Sequence, residues 1–149
     1  MAPRLAPGQA AWVWRLARTM PFYKHLGMRL TKLGYGESEM KVMITRDLTQ
    51  DARVAHGGVA ASLIDSVVGL AVCTMLEKHE LITTVEMKVN FIAPAKLGLL
   101  MATGKIIHKG TRIAVGDAEV RDSKRRLVAK GLVTYIILGK RAGQTKDIS

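Results

Sequence analysis

Asp65 is the residue whose type and surroundings in this sequence most favour chemistry. It is the only acidic residue between Asp51 and Glu77, and most of its neighbours on the chain are apolar. A carboxylate in such surroundings costs free energy unless it has a hydrogen-bond partner or lies in a cleft. Two interpretations remain open: a structural Asp satisfied by a backbone or side-chain partner, or a desolvated carboxylate that acts as general base or nucleophile.

The sequence His56-Gly57-Gly58 precedes the same apolar stretch and predicts the start of a helix. Helix N-termini present unpaired backbone N–H groups and partial positive charge, and glycine lets a ligand approach the backbone closely. Such donors stabilise the oxyanion that develops during acyl transfer. The alternative is a plain turn, with His56 as a capping or otherwise satisfied polar residue.

Asp65 and Gly57 are too far apart on one helix to act on the same carbonyl group. Asp65 follows Gly57 by eight positions. A rise of about 1.5 Å per residue then separates them by about 12 Å along the axis. A base and an oxyanion donor must both lie about 3 Å from the reacting groups. If both residues are functional, we expect two antiparallel copies of the helix to meet, as in a symmetric dimer with two sites.

The remaining candidates are less specific. Cys73 lies in an apolar run and is predicted to be inert core, and Ser62 has no evident partner base. The four histidines show no metal-ligand spacing and no glycine-rich phosphate motif is present, so neither a metal nor a cofactor is predicted. Lys105, Lys109 and Arg112, near one predicted hairpin, could hold phosphate groups.

The hydrophobic pattern predicts the elements that must position these residues. Residues 57–76 are apolar nearly all round, which predicts a long helix wrapped by other structure. A membrane span is not expected, because a central Asp costs about 2.5–3.5 kcal/mol on insertion. An N-terminal helix carrying Trp12 and Leu16 should end before Pro21. The order of the predicted elements indicates an α+β fold, one helix against a curled antiparallel sheet. The predicted strands are residues 28–35, 37–46, 84–91, 98–108, 112–121 and 126–138.

Residues 84–91 alternate strictly between apolar and polar side chains, which predicts a half-buried strand. The pattern places Thr84 and Met87 on opposite faces. One face would carry Val85, Met87, Val89 and Phe91, and the other Thr84, Glu86, Lys88 and Asn90.

Length and composition limit the class of protein. The chain has 149 residues, 48% of them apolar, and one cysteine, which fits a single domain in a reducing compartment; we expect a cytoplasmic location. The net charge of +11 favours a polyanionic partner: nucleic acid, an acidic membrane or a phosphorylated small molecule. With two Trp, three Tyr and two Phe, the chain is poor in aromatic residues for a base-stacking surface.

Both ends of the chain are predicted to be loose. Residues 1–10 contain Pro3, Pro7 and Gly8 without an apolar run, and residues 140–149 are polar. The first acidic residue is Glu37, and a basic, acid-poor N-terminus can be a targeting segment as well as a short docking helix; no secretory signal is visible.

Three segments resemble one known family. AHGGVAASLIDSVVGLA (55–71) resembles the central-helix motif of hotdog-fold acyl-CoA thioesterases of the phenylacetate-degradation type. TTVEMKVNFIAPAKLGLLMATGKIIHKGTR (83–112) resembles the strand, proline loop and strand that follow in that family, and AEVRDSKRRLVAKGLVTY (118–135) resembles its closing hairpin. The resemblance implies a long central helix wrapped by a five- or six-stranded antiparallel sheet, assembled as a homodimer or homotetramer.

The resemblance also implies roles for single residues. Asp65 matches the family's catalytic carboxylate, Gly57 its oxyanion-hole donor and His56 the residue that organises that turn. Thr84 falls where related enzymes carry a hydroxyl that helps to orient water.

Two positions depart from the family pattern: Gln50 stands where the family usually has Asn, and Arg53 where it often has Gly. We expect Gln50 to belong to the catalytic set. The residues expected to bind substrate are Gly58, Arg53, Pro94, Lys109 and Arg112.

Acyl-CoA thioester hydrolysis is the function that these residues favour, on an aromatic or a medium- or long-chain acyl group. The alternative, which Gln50 and Arg53 favour, is a hotdog module that binds acyl-CoA without turning it over. An enoyl-CoA hydratase would place its Asp and His differently, and nucleic-acid binding rests on charge alone. We expect acyl-CoA and further copies of the chain as partners, and neither nucleic acid nor a membrane.

Overall fold

The computed structural model describes residues 3–51, 53–77 and 79–139, which form three α-helices, one short 3₁₀-helix (Arg46–Leu48) and eight strands. The helices are α1 (Pro7–Thr19), α2 (Pro21–Leu26) and α3 (Gly57–Cys73). The strands are β1 (Arg29–Gly34), β2 (Glu37–Ile44), β3 (Thr49–Asp51), β4 (Val54–Ala55), β5 (Leu81–Phe91), β6 (Gly98–Lys109), β7 (Ile113–Asp122) and β8 (Leu127–Leu138).

Six strands form one antiparallel sheet in the order β1-β2-β6-β7-β8-β5, and β3 and β4 form a separate short ribbon. The predicted α+β fold, with a long helix against a six-stranded antiparallel sheet, is confirmed. Strands β1 and β5 are the two edges of the sheet. Within the described ranges, no helix is long and apolar enough to cross a lipid bilayer.

Helix α3 is apolar on nearly every face because the curved sheet wraps around it. Its Leu63, Ile64, Val67 and Val68 are fully buried, and the helix contacts β2, β5, β6, β7 and β8. Burying such side chains contributes about 1.5–3 kcal/mol each, which makes this contact the main source of apolar stabilisation.

Glycines on three neighbouring strands let α3 approach the sheet closely. A Cβ atom added to Gly104, Gly116 or Gly131 would lie 2.9, 2.4 or 2.6 Å from a side-chain atom of the helix. Real side chains do not approach so closely, so these positions on β6, β7 and β8 fix the path of the helix across the sheet.

The outer face of the sheet carries charged side chains and some exposed apolar ones. Exposed ion pairs join Lys105 to Glu37 at 3.2 Å and Lys130 to Asp117 at 3.0 Å. Met101 and Leu132 lie exposed on the same face. Ion pairs of this kind add little stability individually.

The N-terminal region differs from the prediction. Helix α1 begins at Pro7, so the last part of the stretch 1–10, predicted to be loose, is helical. Proline suits this first position because its missing N–H would have no intrahelical partner. The Gln9 side chain also donates to the main-chain oxygens of Cys73 and Leu76, which attaches α1 to the end of α3. The helix ends before Pro21 as predicted, and residues 140–149 lie outside the described residues.

Strand β5 contains a bulge that corrects the predicted alternation. Thr84 pairs with Tyr135 and Met87 with Val133, while the register shifts between Thr84 and Glu86. Paired residues share a face of the sheet. The extra residue in the bulge therefore brings Thr84 to the same face as Met87, the face that contacts α3, where strict alternation had placed them apart.

Candidate active site

Two cavities border α3, and the predicted residues divide between them. The first, which we call the α1 cavity, has a volume of about 400 Å³ and includes Asp65 and Thr84. The second, which we call the Gly57 cavity, has a volume of about 370 Å³ and includes Gln50, His56 and Gly57. One protomer therefore does not bring Asp65 and Gly57 to the same cavity, in agreement with the separation expected from the helical rise.

Two hydroxyl groups contact the carboxylate of Asp65 in the α1 cavity. The Thr84 hydroxyl donates to Oδ1 at 2.8 Å, and the Tyr135 hydroxyl lies 2.8 Å from the same oxygen. The Tyr135 hydroxyl also lies 2.7 Å from the main-chain oxygen of Asp65. The half-buried carboxylate thus has hydrogen-bond partners on one oxygen, and these partners offset the free-energy cost of placing a carboxylate among apolar residues.

Tyr135 is the residue of this cluster that the sequence analysis missed. Burial, followed by the nearby charge of Asp65, raises the pKa of Tyr135 well above its usual value, so the phenol keeps its proton and remains a donor. A Cβ atom at Gly69 would lie 2.6 Å from the Tyr135 hydroxyl oxygen, so this glycine leaves room for the phenol. The only signal in the sequence is that Tyr135 occupies an inward position of β8, between Val133 and Ile137.

The other walls of the α1 cavity are mainly apolar. Helices α1 and α2 contribute one side, and the turn and strand after α3 contribute the other; the apolar lining includes Trp12, Leu16, Met20, Phe22, Leu70, Leu76, Leu81 and Ile82. Burial raises the pKa of the Cys73 thiol to about 12 and that of the Tyr23 phenol to about 12, so both groups stay protonated near neutral pH. This cavity can enclose an apolar group next to a carboxylate.

The Gly57 cavity lies at the first turn of α3. His56 caps the helix: its Nδ1 accepts a hydrogen bond from the Gly58 N–H at 2.9 Å. The proton of the neutral ring is therefore on Nε2. In the part of the chain that the structure describes, the Gly57 N–H has no hydrogen-bond partner. The turn thus presents one unpaired backbone donor at the positive end of the helix.

The structure separates the other predicted residues. Pro94 lines the Gly57 cavity together with Gln50, while the Gly58 N–H is occupied by His56. Arg53 is exposed and lines neither cavity. Lys109 and Arg112 lie at the β6–β7 hairpin, at the end of the sheet opposite Gly57, and also line neither cavity.

The β5 edge exposes apolar side chains. Val85 is 53% exposed, Met87 38% and Phe91 60%. The sequence predicted a half-buried strand, but in one protomer this apolar face is largely open to solvent. Exposed apolar edge strands are prone to pair with another strand.

Comparison with known proteins agrees with the fold. The sequence pattern of the thioesterase superfamily matches residues 52–129, just over half of the chain. A protein of Saccharolobus solfataricus named as a candidate esterase is 30% identical over 131 residues, which make up 88% of this chain and 87% of that protein. The medium/long-chain acyl-CoA thioesterase YigI of Escherichia coli K12 is 26% identical over 135 residues, covering 79% of this chain and 86% of the relative.

A solved structure shows the same fold at lower identity. The PaaI protein from the phenylacetic acid degradation operon of Escherichia coli superposes with a TM-score of 0.84 at 20% identity, covering 91% of this chain and 97% of that one. The predicted arrangement of a central helix in a six-stranded sheet is therefore shared with that protein.

Proposed function

This chain belongs to the thioesterase superfamily and is a thioester hydrolase, and we propose that it cleaves acyl-CoA at a site shared by two copies of the chain. The resemblance found in the sequence is thereby confirmed. In the proposed site, Asp65 of one protomer is the general base or nucleophile. The Gly57 N–H of a second copy holds the oxyanion.

The observation that carries this proposal is the Asp65 carboxylate, which borders an apolar cavity while only one of its oxygens has hydrogen-bond partners in the described ranges. Buried polar groups ordinarily have at least one hydrogen-bond partner. In this half-buried carboxylate the protein partners hold Oδ1, and Oδ2 is available to a water molecule or to a carbonyl carbon.

Hydrolysis adds water across the C–S bond and releases a carboxylate, the CoA thiol and one proton. As general base, Asp65 takes a proton from water while the water oxygen bonds to the carbonyl carbon. As nucleophile, Asp65 itself bonds to that carbon, the C–S bond breaks, and water then cleaves the mixed anhydride. In both cases the Gly57 N–H stabilises the negative oxygen of the tetrahedral intermediate.

The solvent oxygen reaches the protein only in the nucleophilic route, when water attacks the Asp65 carbon of the mixed anhydride. In a single turnover in labelled water, label in the protein carboxylate would therefore exclude simple general-base action by Asp65.

The β5 edge supports the involvement of a second copy. Antiparallel pairing of two β5 edges covers Val85 and Met87 and sets the Phe91 end of one strand beside the Leu81 end of the other. Because Gly57 lies at the Phe91 end, this pairing directs Gly57 of one copy towards the half of the partner that carries Asp65. It also brings the Lys109 and Arg112 hairpin alongside the second copy's Gly57 cavity, where these cations can contact the phosphates of CoA.

The α1 cavity supports an apolar acyl group as the substrate moiety. Its volume of about 400 Å³ and its lining of Trp12, Leu16 and Leu70 suit an aromatic ring or a medium-length chain. The relative YigI carries the name medium/long-chain acyl-CoA thioesterase, which favours the same class.

The test is thiol release from a panel of acyl-CoAs: phenylacetyl, hydroxybenzoyl, and short, medium and long chains. We expect Asp65→Asn to lower kcat by about 10²–10⁴-fold while the fold and the oligomer persist. Asp47→Asn, a change of the same kind at an exposed position, is the matched control. Full affinity for acyl-CoA without turnover by the wild-type protein would instead favour the binding module.

A further inference from the structure

Two donors converge on a single oxygen of Asp65. Both the Thr84 and the Tyr135 hydroxyls contact Oδ1, each at 2.8 Å, while Oδ2 has no protein partner among the residues that the structure describes. A free carboxylate has two equivalent oxygens; here the surroundings make them different.

We propose that Tyr135 is a positioning residue that, with Thr84, holds Oδ1 of Asp65 and thereby assigns Oδ2 as the oxygen that reacts. This inference rests on the proposed hydrolase function. It assigns a role to Tyr135, which no sequence pattern or motif indicated. It also distinguishes Oδ1, the oxygen that is held, from Oδ2, the oxygen that reacts.

The phenol has a single proton, which it shares between the main-chain oxygen of Asp65 at 2.7 Å and Oδ1 at 2.8 Å. The contact with the main chain keeps the phenol from following the side chain when the carboxylate turns. Tyr135 is 5% exposed, which limits its own movement. The rotamer of Asp65 is therefore set relative to α3 itself.

Two features of the backbone are needed for this arrangement. The glycine at position 69 leaves space for the hydroxyl, since a Cβ atom there would lie 2.6 Å from the phenol oxygen. The bulge in β5 brings Thr84 to the same face of the sheet as Tyr135, with which it is paired. Both features are explained if the two hydroxyls must meet at one carboxylate oxygen.

Tyr135→Phe tests the proposal because it removes the hydroxyl and keeps the ring. We expect kcat to fall about ten- to a hundredfold, the effect of one hydrogen bond to a charged group, with KM changed less than about threefold. Loss of packing alone would not lower kcat while leaving KM nearly unchanged.

Tyr23→Phe is the comparison variant. Tyr23 borders the same cavity, but the hydroxyls that contact the Asp65 carboxylate in the described residues are those of Thr84 and Tyr135. We expect any loss of kcat/KM in Tyr23→Phe to arise from KM rather than from kcat. An equal fall in kcat in both variants would overturn the proposal.

Gly69→Ala provides a second approach that does not alter the phenol. The added methyl group must displace the Tyr135 hydroxyl, so we expect Gly69→Ala to lower kcat as Tyr135→Phe does. This loss cannot come from a weaker helix, because alanine has a higher helix propensity than glycine. In the double variant, the methyl group meets only the ring carbon Cζ, at 3.1 Å, and no longer the hydroxyl oxygen at 2.6 Å, so we expect the combined loss of kcat to be smaller than the sum of the two single losses. Fully additive losses would contradict the proposal.

The outcomes separate this inference from the proposed function. If Asp65→Asn is inactive while Tyr135→Phe retains the wild-type kcat, the positioning role is wrong and the hydrolase stands. If the wild-type protein hydrolyses no acyl-CoA, the function is wrong, and the carbon-13 chemical shift of the Asp65 carboxyl at one fixed pH, assigned by its absence in Asp65→Asn, decides the inference. A chemical shift that is the same in the wild-type protein and in Tyr135→Phe would overturn it.

Discussion

The ring of Phe91 packs on Gly57 so closely that a Cβ atom added to Gly57 would lie 3.2 Å from the ring carbon Cε1. Gly57 is also the first residue of α3, and the preceding His56 has an extended backbone, with φ −61° and ψ 134°. Both features bear on how the Gly57 N–H can be removed without changing the fold, because proline is favoured at a first helical position and requires an extended residue before it.

Gly57→Pro and Gly57→Ala therefore form a matched pair. Both place a Cβ atom against Phe91, but only proline lacks the N–H. We expect both variants to fold, and kcat of the proline variant to be about 10²–10³-fold below that of the alanine variant, the usual cost of one oxyanion donor. Thiol release and thermal unfolding measure the two effects, and equal kcat values would remove Gly57 from the oxyanion hole.

Two inactive variants should restore activity when mixed. If each site combines Asp65 of one protomer with Gly57 of another, a hybrid of Gly57→Pro and Asp65→Asn protomers contains one intact site. After complete subunit exchange of equal amounts, half of the dimers are hybrids, so activity should recover to about a quarter of the wild-type value.

Each variant alone, taken through the same exchange, is the control for that experiment. No recovery, although mass spectrometry of the native assembly shows hybrids, would mean that one protomer supplies both groups.

Trp12 should limit the length of the acyl group. Trp12 lines the α1 cavity, so Trp12→Ala enlarges it. We expect the ratio of kcat/KM for long-chain over short-chain acyl-CoA to rise at least about tenfold. Trp14→Ala is the control on the same helix, because Trp14 borders a different groove and packs against Arg18, whose guanidinium carbon lies 5.8 Å from the ring centre. Equal ratios in the two variants would exclude the α1 cavity as the acyl site.

Alkaline pH should destabilise the fold through three buried acids. Burial raises the pKa of Tyr23 from 10.0 to about 12 and that of Cys73 from 9.0 to about 12, and it raises the pKa of Tyr135 further still. Groups with a raised folded pKa add stability that is complete below the unfolded pKa and disappears as the pH rises through the folded value. We therefore expect the free energy of unfolding to decline from about pH 9 towards pH 12.

Urea unfolding at a series of pH values measures that decline. Tyr23→Phe should flatten it above about pH 10, whereas Tyr35→Phe, at an exposed position, should not. A decline that is the same in all three proteins would exclude Tyr23 as a cause.

The sequence predicted helix α3, which carries the proposed catalytic residues, because the hydrophobic pattern of this segment is unambiguous. Outside a membrane, a segment that is apolar on all sides with one carboxylate is best explained as a buried helix. The separation of Gly57 from Asp65 then follows from the helical rise. The cap formed by His56 was similarly one of the interpretations open from the residue types.

The contacts of Asp65 could not be predicted because they depend on pairing between distant strands. Nothing local marks the bulge between Thr84 and Glu86, since the polar and apolar residues alternate without interruption. Tyr135 lies 70 positions from Asp65, in a strand where its type fits an ordinary core position. Helix α2 was also missed, because its six residues are too few to show a period.

The three strand glycines beneath α3 restrict which parts of the chain can change in sequence without moving Asp65. Any side chain at Gly104, Gly116 or Gly131 would lift the helix and carry Asp65 away from the hydroxyls that hold it. The helix–sheet contact therefore has no spare room in which new substrate preferences can arise. Helices α1 and α2 border the α1 cavity, which the proposed function assigns to the acyl group, and the atoms nearest the three glycines belong to neither helix. On the proposed function, changes of substrate can therefore accumulate in these helices while Asp65 keeps its place.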